Sequence, residues 1–350
     1  MTASPAPGAT TGRPAPGVRI LDGGMGRELA RIGAPFRQPE WSALALLEGP
    51  EWVERAHRNF VEAGAEIITT NSYALVPFHL GEARWRDEAL RLADLAGRIA
   101  RRVADDPGDA PALAATADGP APARRIVVAG SLPPAFGSYR PDLFDDAQAD
   151  ELYAPLVRGL LPWVDVWLCE TLSSIAEARA AMRSIDMTGR VMWVSYTLDD
   201  ALDGGDARLR SGESIEDAVR AVAPATGAVM FNCSQPEVMA RALEQAAAAL
   251  PAPAQPPPRI AAPDPHLFDG LVPPPGAPGH PVLGVYANAF PPQRKDAAAN
   301  TDILRLRDDL TPARYAEFAE AWRARGAVII GGCCGVTPDH VAALCAVAAR

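Results

Sequence analysis

Short, almost wholly apolar runs alternate along this chain with longer stretches whose apolar residues recur at helical spacing. The apolar runs are Val18–Gly24, Glu66–Tyr73, Ile126–Leu132, Val164–Leu172, Val191–Leu198, Ala228–Cys233, Val282–Asn288 and Ala327–Cys334. Helical patterns fall between them, at about Glu51–Ala63, Arg86–Ala104, Asp146–Leu161, Ile175–Met187, Ser214–Ala223, Pro236–Leu250 and Pro312–Arg325, with Pro338–Ala349 after the last run. A strand without polar alternation is covered on both faces, which is the condition of a parallel sheet. Eight such units predict a single-domain (β/α)8 TIM barrel over residues 18–350, with its chemistry at the C-terminal ends of the strands. Thr337-Pro338 reads as an N-cap with proline at N1, starting the last helix directly after the last strand.

Two stretches break the rhythm. Residues 251–281 hold twelve prolines in thirty-one positions and can form neither a regular helix nor a central strand. The segment 107–123 is rich in Ala, Pro, Asp and Gly. Both are helix-to-strand connections, expected as insertions on the face opposite the chemistry. Residues 1–17 read as a disordered tail.

Composition narrows the class of partner. With 48% hydrophobic and 22% charged residues over 350 positions, the chain can bury one large core. A formal net charge of -10 excludes the basic field that nucleic acid or an anionic membrane surface requires. Five cysteines, two of them adjacent, do not form a disulfide framework and suit a reducing compartment. The N-terminus lacks the apolar core of a signal peptide and no run is long enough to span a bilayer, so a cytoplasmic protein acting on small molecules is expected.

The strand ends carry the candidate chemistry. Strand one ends Asp22-Gly23-Gly24, strand two Thr69-Thr70-Asn71-Ser72-Tyr73, strand four Cys169-Glu170-Thr171, strand six Asn232-Cys233, strand seven Asn288, and strand eight Gly331-Gly332-Cys333-Cys334. Adjacent cysteines rarely bridge one another, but as thiolates both can grip one soft metal ion. Strands six and eight supply side chains to the same barrel layer, so Cys233 is placed to face Cys333 and Cys334. Three sulfur ligands, each at about 2.3 Å, leave a fourth zinc position open for a substrate, and zinc would lower the pKa of an incoming thiol. Asp22 and Glu170 would form an anionic pocket for an ammonium group. Plainer readings stand beside these: Asp22 as a cap on the glycine turn, Glu170 in a structural ion pair, and the three cysteines as buried thiols. Cys169, one residue before Glu170, should point into the helix layer. Asn232 and Asn288 either orient substrate or satisfy loop backbone. His57 and His340 read as packing or capping residues.

These motifs, Leu21-Asp22-Gly23-Gly24-Met25-Gly26, Ala63-Gly64-Ala65 leading to Thr69–Tyr73, Cys169-Glu170-Thr171, Asn232-Cys233 and Gly331–Cys334, together resemble the homocysteine S-methyltransferase family over roughly residues 18–349. The resemblance implies that Cys233, Cys333 and Cys334 bind zinc, that Asp22 and Glu170 hold the homocysteine amino group, and that Gly24 and Thr70 lie near its carboxylate. It implies methyl transfer to homocysteine, giving methionine. A sulfonium donor, S-methylmethionine or S-adenosylmethionine, fits best because its leaving group departs neutral. Alternatives are an acceptor barrel served by a separate corrinoid protein and a non-catalytic zinc barrel. The chain departs from the common pattern in three places. Ala129-Gly130-Ser131 continues Leu132-Pro133-Pro134-Ala135-Phe136-Gly137-Ser138-Tyr139-Arg140-Pro141 where Gly-Pro is common, strand seven ends Tyr286-Ala287-Asn288 where Tyr-Pro-Asn is usual, and Thr171 stands where betaine enzymes carry an aromatic residue. The last disfavours betaine, since a quaternary ammonium is held on aromatic faces.

Overall fold

A computed structural model describes residues 17–108, 125–200, 204–250, 280–292 and 305–349. The N-terminal tail through residue 16, most of the 107–123 segment and nearly all of the 251–281 insertion lie outside the described residues. The strands are β1 (Arg19–Ile20), β2 (Ile67–Thr69), β3 (Val127–Leu132), β4 (Val166–Leu172), β5 (Val191–Tyr196), β6 (Ala228–Asn232), β7 (Val282–Ala287) and β8 (Ala327–Gly332). They form one parallel sheet in the order β1-β8-β7-β6-β5-β4-β3-β2. Closure comes through a parallel bridge between Leu21 and Ile67, with Glu66 N–H donating to Ile20 O at 2.7 Å and Asp22 N–H to Ile67 O at 2.9 Å. The eight parallel strands and their helices form the expected (β/α)8 barrel.

The helices are α1 (Met25–Ile32), α2 (Ala43–Glu48), α3 (Pro50–Glu62), α4 (Pro77–Leu80), α5 (Glu82–Asp105), α6 (Asp146–Leu160), α7 (Ile175–Ile185), α8 (Ile215–Val222), α9 (Pro236–Ala249), α10 (Pro312–Arg323) and α11 (Pro338–Ala348). Several begin on side-chain caps that satisfy first-turn amides: Asp145 for α6, Ser174 for α7, Ser214 for α8 and Thr311 for α10. At α11 the expected Thr337 start holds, and His340 completes it. Thr337 N–H donates to His340 Nδ1 at 3.3 Å, while Nε2 of the same ring reaches Leu310 O at 2.9 Å.

Two packed layers result. Leu21, Ile67, Val127, Ala129, Val166, Leu168, Trp193, Ala228, Met230, Tyr286 and Ile329 fill the barrel interior. The alternate strand residues, Trp167, Cys169, Val194, Phe231 and Val285 among them, pack outward against the helices. Cys169 therefore lies in the helix layer, as its place before Glu170 predicts.

Strands one and two are shorter than their apolar runs, and the helices α1, α2 and α4 stand in the loops that follow them. The cause is local. After Asp22 the chain leaves the sheet, and Gly24 N–H donates to Val336 O at 3.0 Å, across the β8–α11 turn, rather than to a strand. A Cβ on Gly24 would come within 2.7 Å of Cys333 O, so this approach requires glycine. It locks the first loop to the cysteine loop.

Candidate metal and substrate site

The three cysteines meet at the C-terminal mouth of the barrel. Their Sγ atoms all lie within 4.8 Å of one another, with 3.8 Å between those of Cys233 and Cys334. Among the described residues no other group of His, Cys, Asp and Glu atoms is gathered this closely. Backbone bonds hold them there: Cys233 N–H donates to Tyr286 O at 3.2 Å and Cys333 N–H to Ala287 O at 2.9 Å, so both loops hang from β7. Cys233 takes a left-handed conformation, φ 52°, which a non-glycine residue adopts only when its surroundings dictate it.

All five cysteines are free. Hydrogen bonds from Cys333 and Cys334 hold the Cys233 thiol well below its ordinary pKa against the opposing effect of burial, and Tyr139 adds to them. Cys333 and Cys334 are pushed up, chiefly by bonding to Cys233. Hydrogen bonding within the trio thus favours the thiolate at Cys233. The set of three sulfurs fits a soft divalent ion, which binds cysteine as thiolate.

Beneath the sulfurs lies a polar layer on the interior face. Alternation along β4 points Val166, Leu168 and Glu170 inward, and the ladder to β5 shifts register between Cys169 and Leu172. The shift is a bulge that aims Glu170 into the mouth and leaves Thr171 at φ 59°. Ser131 Oγ–H donates to one oxygen of Glu170, and Tyr286 O–H to the other at 3.1 Å. Asp22 accepts twice from Thr69, from N–H at 2.7 Å and from Oγ1–H at 2.6 Å. Burial pushes Asp22 up to about 7, offset in part by the Thr69 bonds, with the Glu170 charge adding to the rise. Burial likewise pushes Glu170 up to about 7 against its bonds from Ser131 and Tyr286. Among the described residues Glu170 is thus held by two hydroxyl groups rather than by an arginine.

The asparagines divide. Asn232 is spent on the framework: its Oδ1 accepts from Thr171 N–H at 2.9 Å and Ser195 Oγ–H at 2.8 Å, and its Nδ2 donates to Thr171 Oγ1 at 2.8 Å and to Cys333 Sγ at 3.9 Å. It ties β4, β5 and β6 to the sulfur cluster. Asn288 Oδ1 accepts from Gln235 Nε2 and Phe290 N–H, but its Nδ2 is buried without a partner. That leaves the Asn288 amide nitrogen as a donor not used by the described protein groups. Thr70 Oγ1 bonds Ser72 Oγ at 2.8 Å and accepts from Ser131 N–H at 3.0 Å, bracing the ends of β2 and β3.

Sequence reasoning did not single out Ser131, Tyr286, Thr69 or Tyr139. Ser131 and Tyr286 were within its reach, since both face inward on apolar strands. Tyr139 was not, because it sits on an irregular loop.

The ionisation of Glu170 has a measurable consequence for stability. Its folded pKa, about 7, is raised above the ordinary value of 4.5, so its favourable contribution is complete below about 4.5 and is lost as pH rises through 7. Glu170→Gln is therefore expected to gain stability relative to the parent in the substrate-free protein at pH 8, by at most roughly 3 kcal/mol. The gain should shrink toward zero at pH 5. Denaturant titrations at both pH values check this, and a difference that does not change with pH would contradict it.

This polar mouth on an eight-stranded barrel defines the class of protein, and comparison with known proteins agrees. Residues 19–348 match the family model for homocysteine S-methyltransferase, and the chain belongs to that family. It is 32% identical to the homocysteine S-methyltransferase of Escherichia coli (strain K12) over 341 residues, covering 93% of this chain and 94% of that one. It is 26% identical to a selenocysteine Se-methyltransferase of Brassica oleracea var. italica, over 94% of this chain and 88% of that one. Among solved structures it resembles the metallated form of the E. coli homocysteine methyltransferase MmuM, with a TM-score of 0.65, 27% identity, and coverage of 94% and 96%. The chain is a methyltransferase of the homocysteine class.

Proposed function

We propose that this enzyme moves a methyl group from a sulfonium donor, S-methylmethionine or S-adenosylmethionine, to the sulfur of homocysteine, with zinc held by Cys233, Cys333 and Cys334. The observation that carries this reading is the gathering of three free cysteine sulfurs within 4.8 Å, in the same mouth as two buried carboxylates. When bound, zinc supplies the Lewis acidity that makes a thiol a thiolate at neutral pH.

The chain's own groups do the rest. Asp22 and Glu170, both buried, ionise fully when an ammonium group enters, because an opposite charge offsets the desolvation that raises them. The amino end of homocysteine is held there. The carboxylate lies near Gly24 and Thr70, where the absence of a side chain on Gly24 lets the first loop close against the Cys333 backbone, and the Nδ2 of Asn288 is a donor for it. Asn232 fixes the Cys333 loop. The ring of Tyr73, half-buried near the Cys233 sulfur, offers a face on which a sulfonium can rest. The donor's S–CH3 bond breaks as the new S–CH3 bond forms, and its sulfur leaves as a neutral thioether.

The test is methionine formation by the zinc-loaded protein from homocysteine with S-methylmethionine, S-adenosylmethionine, betaine or methylcobalamin. Turnover with one of the sulfonium donors and little with betaine is expected. Turnover only with methylcobalamin would replace the sulfonium reading by the corrinoid one.

A further inference from the structure

The loop after β3 is where the sequence leaves the common family pattern, and the structure shows what that loop carries. Tyr139 is held at φ 66° and is buried, with its hydroxyl 2.9 Å from Cys233 Sγ. Over its ring lies the guanidinium of Arg210, with Cζ 4.7 Å from the centroid. Arg210 is itself paired with Asp200, Nη2 to Oδ2 at 3.2 Å, and these two side chains are only 3% and 2% exposed. The other oxygen of Asp200 accepts from Gln235 N–H at 2.9 Å, two residues beyond Cys233. Loops after β3, β5 and β6 thus close a ring, Asp200–Arg210–Tyr139–Cys233–Gln235, around one sulfur.

We propose that Tyr139 is a positioning residue for Cys233, its O–H donating to the sulfur that holds the metal, and that the buried Asp200–Arg210 pair fixes and polarises the phenol from behind. The proposal rests on the reading that Cys233, Cys333 and Cys334 ligate zinc. In that state Cys233 carries no proton, so the phenol must be the donor. A cation over the ring draws electron density from it and strengthens the O–H as a donor. A hydrogen bond to a ligating sulfur restrains its orientation and withdraws charge from it, and outer contacts of this kind change metal affinity about 10–100-fold.

Zinc affinity, by competition with a chromophoric chelator, and the thiolate-to-metal charge-transfer band of the cobalt(II)-substituted protein are the readouts. A structural role alone would not move the band. Tyr139→Phe is expected to keep the parental far-UV circular dichroism, to bind zinc about tenfold more weakly, and to shift the band to lower energy as the sulfur regains charge. Arg210→Met should move both readouts the same way by less. Parental affinity and an unmoved band in Tyr139→Phe would overturn the proposal. If Tyr139→Phe does not fold, the band of Arg210→Met decides, and an unmoved band again overturns it. Cys233→Ala separates the two levels of the reading. Full zinc binding by that variant would sink the metal assignment itself, whereas its loss alongside a parental Tyr139→Phe would sink only the role of Tyr139.

Discussion

Cys233→Ala and Cys334→Ser proteins are expected to lose stoichiometric zinc and, with it, methyl transfer. Each variant removes one of three sulfurs that lie within 4.8 Å, and no other described His, Cys, Asp or Glu atom joins that group to take its place. The affinity loss should exceed about 100-fold, the upper end of what outer hydrogen bonds carry. Activity should fall to background. Cys169→Ser provides the control, because Cys169 packs in the helix layer and should leave metal content at one per chain. Metal analysis after gel filtration checks all three. Unchanged zinc in Cys233→Ala would place the ion elsewhere.

The second large effect is expected at Glu170. Glu170→Gln should raise the KM for homocysteine on the order of 100-fold, since truncating one partner of a buried charge pair costs about 2–5 kcal/mol. Zinc content should not change, because the carboxylate bonds Ser131 and Tyr286 and is not among the gathered sulfurs. A thiol lacking the amino group, 4-mercaptobutyrate, separates the causes. If Glu170 meets the ammonium, parent and variant should bind this analogue about equally. An equal loss for both thiols would assign Glu170 to structure, and lost zinc would assign it to support of the metal.

The barrel was legible because its strands are apolar throughout and spaced by helices, a pattern few other architectures produce. The meeting of Cys233 with Cys333 and Cys334 was legible for a related reason: each ends a strand, and strand ends in a closed barrel converge. Glu170 and Cys169 followed from alternation along β4. What alternation could not give was the bulge that leaves Thr171 at φ 59°, since a register shift depends on the neighbouring strand. The short helices α1, α2 and α4 were hidden for another reason. They occupy loops where the chain stays close to the mouth, and each is too brief for helical spacing to stand out against the strand signal beside it. Asn232 and Asn288 looked alike in sequence and differ in the structure, one saturated by Thr171, Ser195 and Cys333, the other with its Nδ2 unpartnered. Tyr139 lies furthest from sequence reasoning. Its hydroxyl reaches Cys233 only because the loop after β3 turns through a left-handed residue, and no periodicity encodes that turn.

The central claim, metal-dependent methyl transfer from a sulfonium to homocysteine, is tested most directly with S-methylmethionine bearing deuterated methyl groups. The protein is incubated with this donor and homocysteine carrying carbon-13 in its own skeleton, as zinc-loaded, chelator-stripped and zinc-restored samples, so that mass spectrometry separates the methionine formed from homocysteine from the trideuterated methionine left by the donor. Methionine carrying both carbon-13 and three deuterons should form with the loaded protein, disappear on stripping and return with zinc. Label that never reaches homocysteine, or that reaches it equally well after the metal is removed, would contradict the account.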